Sequence, residues 1–223
     1  MAHTIVKICG ITRTEDARHA VAAGADWIGF ILQGESPRRL PATRARAIID
    51  ALGEHVVTVG VMVAPTPDEA LVLAREAGVS RVQLHGVDPA TWPAEFPLPI
   101  AFAVPVAEDG AMRVALPPRR HLVLLDTAHA GLAGGTGRTF PWFVAATVAA
   151  DFEVMVAGGL DGGNVGAMLA EVRPYGVDAS SRLETAPGIK DPVLVQRFVD
   201  AVRAFDARGE SAEDGDAEGS APA

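Results

Sequence analysis

The sequence contains a single cysteine, few aromatic residues and no long apolar run. Cys9 alone cannot form an intramolecular disulfide or a metal site built only of cysteines, and a lone thiol is typical of a reducing compartment. Because only 5% of the residues are aromatic, the core must consist mainly of Ala, Val, Leu and Ile. No apolar segment approaches the ~20 residues that a membrane-spanning helix needs.

The charge balance narrows the possible partners further. A formal net charge of −9 argues against nucleic acid as a partner. The first residues contain no basic stretch followed by an apolar one, so we expect no secretory signal and no membrane partner. We therefore expect a cytoplasmic protein.

Before residue 208 the chain alternates between short β-branched apolar runs and longer Ala-rich segments. The runs predict strands at residues 5–9, 27–32, 56–63, 82–85, 100–104, 122–126, 154–157 and 177–179. Helices are expected at 14–23, 41–52, 67–77, 88–95, 141–150, 163–172 and 192–207, with a weaker candidate at 109–116. Eight βα units in about 200 residues predict a single-domain (β/α)8 TIM barrel, and a doubly wound open sheet is the alternative.

The last residues differ in composition from the rest of the chain. Residues 208–223 contain five carboxylates, one arginine and no Val, Leu, Ile or aromatic side chain. Such a segment cannot bury enough apolar surface to offset the entropy of ordering it. We therefore predict a barrel domain over residues 1–207 and a disordered acidic tail over residues 208–223.

Polar residues collect where the predicted strands end. They are Cys9, Arg38, Gln83, His85, Asp126, Gly158, Gly159, Asp178, Ser180 and Ser181. In a TIM barrel the C-terminal ends of the strands form the active site, whereas an open sheet concentrates such residues near one switch point. The spread of polar residues over most of the strands favours the closed barrel.

The last two βα units carry a phosphate-binding signal. Gly158 and Gly159 follow the seventh strand, and Ser180 and Ser181 follow the eighth. Glycines let the backbone approach an anion, and these two loops are where phosphate recurrently binds in this fold. We expect a phosphorylated small-molecule substrate, although plain turn chemistry explains a Gly-Gly pair equally well on its own.

Six sequence blocks, in order along the chain, resemble the phosphoribosylanthranilate isomerase family. They lie at residues 7–12, 82–86, 124–127, 134–142, 157–165 and 176–191. The resemblance runs from about residue 5 to residue 205. It implies an Amadori rearrangement of a small-molecule substrate in tryptophan biosynthesis, without metal or cofactor, by a monomeric or homodimeric enzyme. The expected reaction converts N-(5-phospho-β-D-ribosyl)anthranilate to 1-(2-carboxyphenylamino)-1-deoxyribulose 5-phosphate.

The resemblance also assigns roles to several of the strand-end residues. Cys9 corresponds to the general base, Asp126 to the general acid and Arg38 to the ligand of the anthranilate carboxylate. The remaining expected substrate-binding residues are His85, Gly158, Gly159, Asp178, Ser180 and Ser181. Because a free thiol titrates near ~8.5 and a free Asp near ~3.9, we expect burial to raise the pKa of Asp126. Either the pKa of Cys9 is lowered, as a nearby cation would do, or Cys9 acts through a minor thiolate fraction.

Three residues that follow the eighth predicted strand have no role among these assignments. Arg182 stands where the family usually has glycine, and arginine adopts a positive φ only with difficulty, so contacts of the backbone after Ser181 are in doubt. Lys190 and Asp191 we interpret as the start of the last helix.

Other functions fit the residues less well. A pentose-phosphate epimerase needs several metal-binding His and Asp side chains at strand ends, and His85 is the only histidine there. An indole-forming barrel enzyme needs a strand-end lysine with glutamate partners, and the predicted strand ends lack this set. A barrel that only binds phosphorylated ligands would not need both Cys9 and Asp126. A substrate range extending to aminoaldoses of histidine biosynthesis stays open.

Strand geometry predicts one contact that the resemblance does not supply. Side chains alternate along a strand, so Lys7 faces the same side as Cys9, one layer deeper in the barrel. A buried lysine needs a partner, and the eighth strand, beside the first in a closed barrel, offers Asp178. We therefore expect Lys7 to contact Asp178 and to stabilise the Cys9 thiolate, although Lys7 could also pair elsewhere.

A long loop follows the sixth strand, at residues 127–139, with four glycines and no helix or strand pattern. Loops of this length in a compact barrel are usually functional, so we predict a lid that closes over the substrate. A product analogue should then slow limited proteolysis in this loop, and an unchanged cleavage rate would contradict the prediction.

Overall fold

The protein is described by a computed structural model that covers residues 3–53, 56–127 and 140–217. Its eight main strands form a closed parallel barrel in the order of the sequence. They are β1 (Ile5–Ile8), β2 (Trp27–Ile31), β3 (Val57–Val63), β4 (Arg81–His85), β5 (Ile100–Val106), β6 (Leu122–Thr127), β7 (Val154–Val156) and β8 (Gly176–Ala179). The prediction of a TIM barrel is confirmed over the open sheet, since β1 pairs with β8 and closes the ring.

Alternation along the strands separates two apolar layers. The outward-facing residues, such as Val6 and Ile8, pack with the helices in the larger core. The inward-facing residues fill the lower barrel with Trp27, Leu124, Met155 and small side chains. Each strand presents one face to the surrounding helices and the other to the barrel interior. The inward-pointing polar residues near the C-terminal ends of the strands therefore all face the barrel mouth.

Six of the predicted helices are confirmed, with ends that differ by a few residues. They are α1 (Thr14–Ala22), α2 (Ala42–Asp50), α3 (Pro67–Ala77), α4 (Phe143–Ala149), α5 (Val165–Val172) and α6 (Pro192–Ala217). The start of α3 shows why the sequence signals work. Thr66 accepts a hydrogen bond from the Glu69 amide while the Glu69 side chain accepts from the Thr66 amide, and Gly78 ends the helix in the left-handed conformation.

The helix predicted at residues 88–95 is wrong, and so is the weaker one at 109–116, since turns connect the strands at both places. Asp88 accepts a hydrogen bond from the Ala90 amide, which closes a tight turn instead of starting a helix. Pro93 then removes a backbone donor. Trp92 packs edge-on against Phe102 of β5, so an aromatic side chain covers the barrel where we expected a helix.

A short hairpin after β8 was not predicted from the sequence. A 3₁₀ turn over Ser181–Leu183 leads into β9 (Glu184–Ala186), which pairs antiparallel with β10 (Ile189–Lys190). The hairpin is tied to α1, because the Lys190 amide donates to the buried carboxylate of Asp16.

Two predicted segments are described only in part. The helix α6 continues to Ala217, past the predicted domain boundary at residue 207, and residues 218–223 lie outside the described residues. The disordered tail therefore stays a prediction. The predicted lid lies outside the described residues except for Thr127. No helix in the described ranges is both long and apolar enough to cross a membrane.

Candidate active site

A cavity of about 280 Å³ opens at the C-terminal mouth of the barrel. Its lining includes all nine residues that the sequence predicts for the site: Cys9, Arg38, His85, Asp126, Gly158, Gly159, Asp178, Ser180 and Ser181. These residues come from strands β4, β6 and β8 and from the loops that follow β1, β2, β7 and β8. The structure thus brings together residues that are up to 172 positions apart in the chain.

A buried ion pair lies beneath this cavity. The Lys7 ammonium donates to Asp178 Oδ2 at 2.8 Å, and the side chains are 0% and 7% exposed. The contact predicted from strand geometry is confirmed, because the register of β1 and β8 sets Lys7 directly beside Asp178. Burial alone would lower the pKa of Lys7, but the charge of Asp178 and the Cys9 thiol raise it above its ordinary value.

Gly29 on β2 makes room for Lys7 and Cys9 to meet. A Cβ atom at this position would lie 2.9 Å from Cys9 Sγ and 3.1 Å from Lys7 Nζ, closer than ordinary van der Waals contacts. The side chains of Lys7 and Cys9 therefore occupy the space that a larger residue at position 29 would fill. Because position 29 has no side chain, the Lys7 ammonium can lie beside the thiol.

Cys9 is buried, and burial raises the pKa of its thiol. The positive charge of Lys7 acts in the opposite direction and offsets part of that rise. The thiol is therefore mainly protonated near neutral pH, and the thiolate is a minor form stabilised by Lys7. Of the two possibilities left by the sequence, the minor thiolate fraction is the one that the structure favours.

Asp126 faces the interior from β6, two residues after the buried Leu124. Burial raises the pKa of Asp126 to about 6, and the negative charge of Asp178 contributes to the rise. A hydrogen bond from the Thr127 amide and the charge of Lys7 limit it. A carboxyl group with this pKa is protonated in about one molecule in ten at pH 7, and in more at lower pH, which supplies the proton that a general acid requires.

His85 is a neutral side chain in this site. Burial lowers the pKa of His85 to about 4, and the charge of Lys7 adds to the effect. The Gln83 side-chain amide donates to His85 Nε2 at 2.8 Å. Because that nitrogen accepts, the ring carries its proton on Nδ1.

Arg38 is held by Glu184 directly and by Lys190 through Glu184, and neither residue was predicted for the site. Glu184 accepts two hydrogen bonds from Arg38 Nε and a third from Nη2, and Lys190 donates to the same carboxylate. Our interpretation of Lys190 as a helix start was wrong, since its side chain turns toward the site, whereas Asp191 does accept from the first amides of α6. The signal available for this contact was the oppositely charged pair of Glu184 and Lys190 in an otherwise uncharged segment.

The loops after β7 and β8 have the backbone shape expected of an anion site. Gly158 and Gly159 both have positive φ, +88° and +70°. Asn164 fixes their loop by donating to the Gly159 carbonyl and accepting from the Asp161 amide. In the neighbouring loop Ser180 Oγ donates to the carbonyl of Cys9. The two loops are therefore fixed in place before a ligand binds.

Arg182 does not need the positive φ that a glycine at its position would allow. It lies in the 3₁₀ turn with a negative φ, and its guanidinium donates to Asp161 in the loop after β7. The substitution therefore leaves the backbone of Ser180 and Ser181 beside the cavity and adds a link between the two loops. Within the described ranges, no three His, Cys, Asp or Glu side chains are arranged to hold a metal ion.

Comparisons with known proteins agree on one family. A sequence profile of N-(5'-phosphoribosyl)anthranilate isomerase matches residues 6–201. The N-(5'-phosphoribosyl)anthranilate isomerase of Rubrobacter xylanophilus is 43% identical over 202 residues, which are 89% of this chain and 98% of that protein.

Solved structures of the same enzyme share the fold. The phosphoribosyl anthranilate isomerase of Thermus thermophilus matches with a TM-score of 0.77 and 34% identity, over 91% of this chain and 100% of that chain. A structure of the enzyme in complex with reduced 1-(o-carboxyphenylamino)-1-deoxyribulose 5-phosphate matches with a TM-score of 0.74 and 30% identity. That match covers 90% of this chain and 99% of that one.

The contact between Lys7 and Cys9 predicts the reactivity of the thiol. In Lys7→Met the pKa of Cys9 should rise, because burial is then no longer opposed by the adjacent cation. The pH dependence of alkylation by iodoacetamide should shift toward higher pH by about one pH unit or more. Lys190→Met is the matched control and should shift the profile less, since Lys190 contributes least to the pKa of Cys9. An unchanged profile in folded Lys7→Met would contradict this account.

The raised pKa of Asp126 predicts a cost in stability. The folded protein binds this proton more tightly than the unfolded chain, whose Asp titrates near ~3.9, so Asp126 destabilises the fold progressively between about pH 4 and pH 6. Asp126→Asn should raise the free energy of unfolding by about 1–3 kcal/mol at pH 7.5 and change it little at pH 4. Urea unfolding at both pH values measures this, with exposed Asp50→Asn as the control. An equal effect at both pH values would exclude titration as the cause.

Proposed function

The chain belongs to the N-(5'-phosphoribosyl)anthranilate isomerase family, and from that premise we propose how its residues carry out the reaction. The enzyme rearranges N-(5-phospho-β-D-ribosyl)anthranilate to 1-(2-carboxyphenylamino)-1-deoxyribulose 5-phosphate, a step of tryptophan biosynthesis. The observation that carries the proposal is a cavity at the barrel mouth whose lining combines a carboxyl group of raised pKa, a thiol beside a cation, an arginine and two loops that bear glycine and serine.

The first step needs an acid, and Asp126 is our candidate. Its carboxyl group donates a proton to the ring oxygen of the ribose while the bond from that oxygen to C1′ breaks. The lone pair of the anthranilate nitrogen then forms the C=N bond of a protonated Schiff base. The pKa of about 6 supports this role, because about one molecule in ten holds the proton at pH 7 and a group of this acidity transfers it readily.

The second step needs a base, and Cys9 is our candidate. Its thiolate removes the proton from C2′, and the electron pair of that C–H bond forms the enolamine as the C=N bond becomes a C–N single bond. Tautomerisation of the enol gives the ketone. The Lys7 ammonium supports this role by stabilising the thiolate, and it does not compete for the proton because Asp178 raises the pKa of Lys7 and keeps it protonated.

The ends of the substrate fit the two sides of the cavity. We propose that the phosphate binds the backbone of Gly158, Gly159, Ser180 and Ser181, and that Arg38 binds the anthranilate carboxylate. Positive φ at both glycines supports the first assignment, since it turns amide groups toward an anion.

The middle of the substrate would then lie over the polar layer of the barrel. Asp178 Oδ1 is buried and has no hydrogen-bond partner among the described residues, so it suits a ribose hydroxyl. His85, neutral and bonded to Gln83, offers a second polar contact. A cytoplasmic location and a monomeric or homodimeric state stay predictions.

The roles of Cys9 and Asp126 lead to one kinetic prediction. Cys9→Ser and Asp126→Asn should each lower kcat by about 10² or more, because each removes one proton-transfer group while the fold is kept. The loss of fluorescence of freshly prepared phosphoribosylanthranilate measures turnover, in buffer without metal ions.

Asp50→Asn, which changes an exposed carboxyl group on α2, is the control and should retain full activity. Turnover close to that of the wild type in either active-site variant would remove that residue from the mechanism. A wild-type protein without turnover would refute the proposed function itself.

A further inference from the structure

Arg38 is bound in a way that leaves one defined edge of its guanidinium group open. The group is planar and has two edges that can each bind a carboxylate with two parallel N–H donors. Glu184 occupies the edge formed by Nε and Nη2, with distances of 2.8, 3.1 and 2.7 Å. The other edge is formed by Nη1 and the second hydrogen of Nη2. No hydrogen bond from this edge to any of the described residues is found.

The stem of Arg38 is fixed as well. A Cβ atom at Gly10, which has a φ of +74°, would lie 2.7 Å from Arg38 Cδ and 2.9 Å from Ser180 Oγ. Arg38 therefore lies directly over the backbone of the loop that follows β1. With its stem against Gly10 and one edge on Glu184, the guanidinium group has little freedom to turn.

Glu184 is itself held by a second cation. Lys190 is its neighbour across the hairpin, and Lys190 Nζ donates to Glu184 Oε1 at 2.7 Å and to the Ser180 carbonyl at 3.1 Å. The side chains of Glu184 and Lys190 are 4% and 1% exposed, so neither charge is screened by water. Burial alone would raise the pKa of Glu184, but Arg38 and Lys190 lower it and keep the carboxylate ionised.

The charges in this cluster do not cancel. Two cations share one carboxylate, so Arg38, Glu184 and Lys190 together carry one net positive charge. Without Lys190, the pair of Arg38 and Glu184 would be neutral and would attract a second carboxylate only weakly. Without Glu184, two buried cations would repel each other at the cavity wall.

We propose that Glu184, held by Lys190, is a positioning residue that turns the open edge of Arg38 toward the substrate carboxylate and leaves one positive charge to balance it. This inference rests on the proposed function, in which Arg38 binds that carboxylate. Glu184 acts through Arg38 and touches neither the ribose nor the phosphate.

The test uses ligands with and without the carboxylate. In Glu184→Gln, one of the two acceptor oxygens becomes an NH2 group that faces an N–H donor of Arg38 or Lys190, so the two-oxygen contact that fixes the guanidinium group is lost. The KM for phosphoribosylanthranilate should rise about tenfold or more, while kcat changes by less than about threefold. Affinity for the reduced product analogue should fall by a similar factor. Affinity for its phenyl counterpart, which lacks the carboxylate, should stay unchanged.

A matched control and a double variant separate positioning from general damage. Glu171→Gln, an exposed change of the same type on α5, should leave every value unchanged. If Glu184 acts only through Arg38, Arg38→Met combined with Glu184→Gln should bind the reduced product no more weakly than Arg38→Met alone. Additive losses, or an equal loss for the ligand without the carboxylate, would overturn the proposal.

A second variant covers the case in which Glu184→Gln does not fold, as judged by circular dichroism. Glu184→Asp keeps the charge on a shorter side chain, so it should raise the KM by less than about tenfold. Its affinity for the phenyl counterpart of the reduced product should stay unchanged. Equal losses for both ligands in that variant would overturn the role of Glu184 while wild-type turnover leaves the proposed function intact. A wild type that neither turns over the substrate nor binds the reduced product would overturn both.

Discussion

The buried pair of Lys7 and Asp178 is the contact on which the rest of the site depends. It joins the first and last strands of the barrel across the seam where the ring closes. A lysine enclosed this fully is tolerable only when a carboxylate meets it, so the register of β1 and β8 is fixed by charge as well as by backbone hydrogen bonds. The same ammonium group then acts on Cys9, His85 and Asp126 in the layer above.

One low-dielectric environment produces an acid and a base from groups that have the wrong pKa in water. Burial favours the protonated forms of both Asp126 and Cys9. For the acid this is what the chemistry needs, and for the base it is a hindrance that Lys7 partly relieves. The neutral state of His85 follows first from burial, and the positive charge of Lys7 adds to the effect. Burial thus shifts all three titratable groups toward their neutral forms, and the charge of Lys7 adjusts the pKa of each.

Sequence patterns predicted most of the fold because the signals that define strands are local. Short β-branched apolar runs identified all eight strands of the barrel, and the alternation of side chains along a strand predicted the contact of Lys7 with Asp178. The helix predicted at residues 88–95 is absent for an equally local reason, because Asp88 and Pro93 favour turns. There Trp92 replaces a helix as the cover of the barrel, and composition alone does not reveal that choice.

The sequence by itself identified nine of the residues that line the cavity, since the C-terminal ends of parallel strands in a closed barrel necessarily share one mouth. It could not determine how those residues are held. Arg38 and Glu184 are 146 positions apart, and the hairpin that brings Lys190 to the same carboxylate carries no periodic signal. The pKa of about 6 at Asp126 was also beyond the sequence, although its direction was not. Burial and the distances to other charges set its size, and both exist only once the chain has folded.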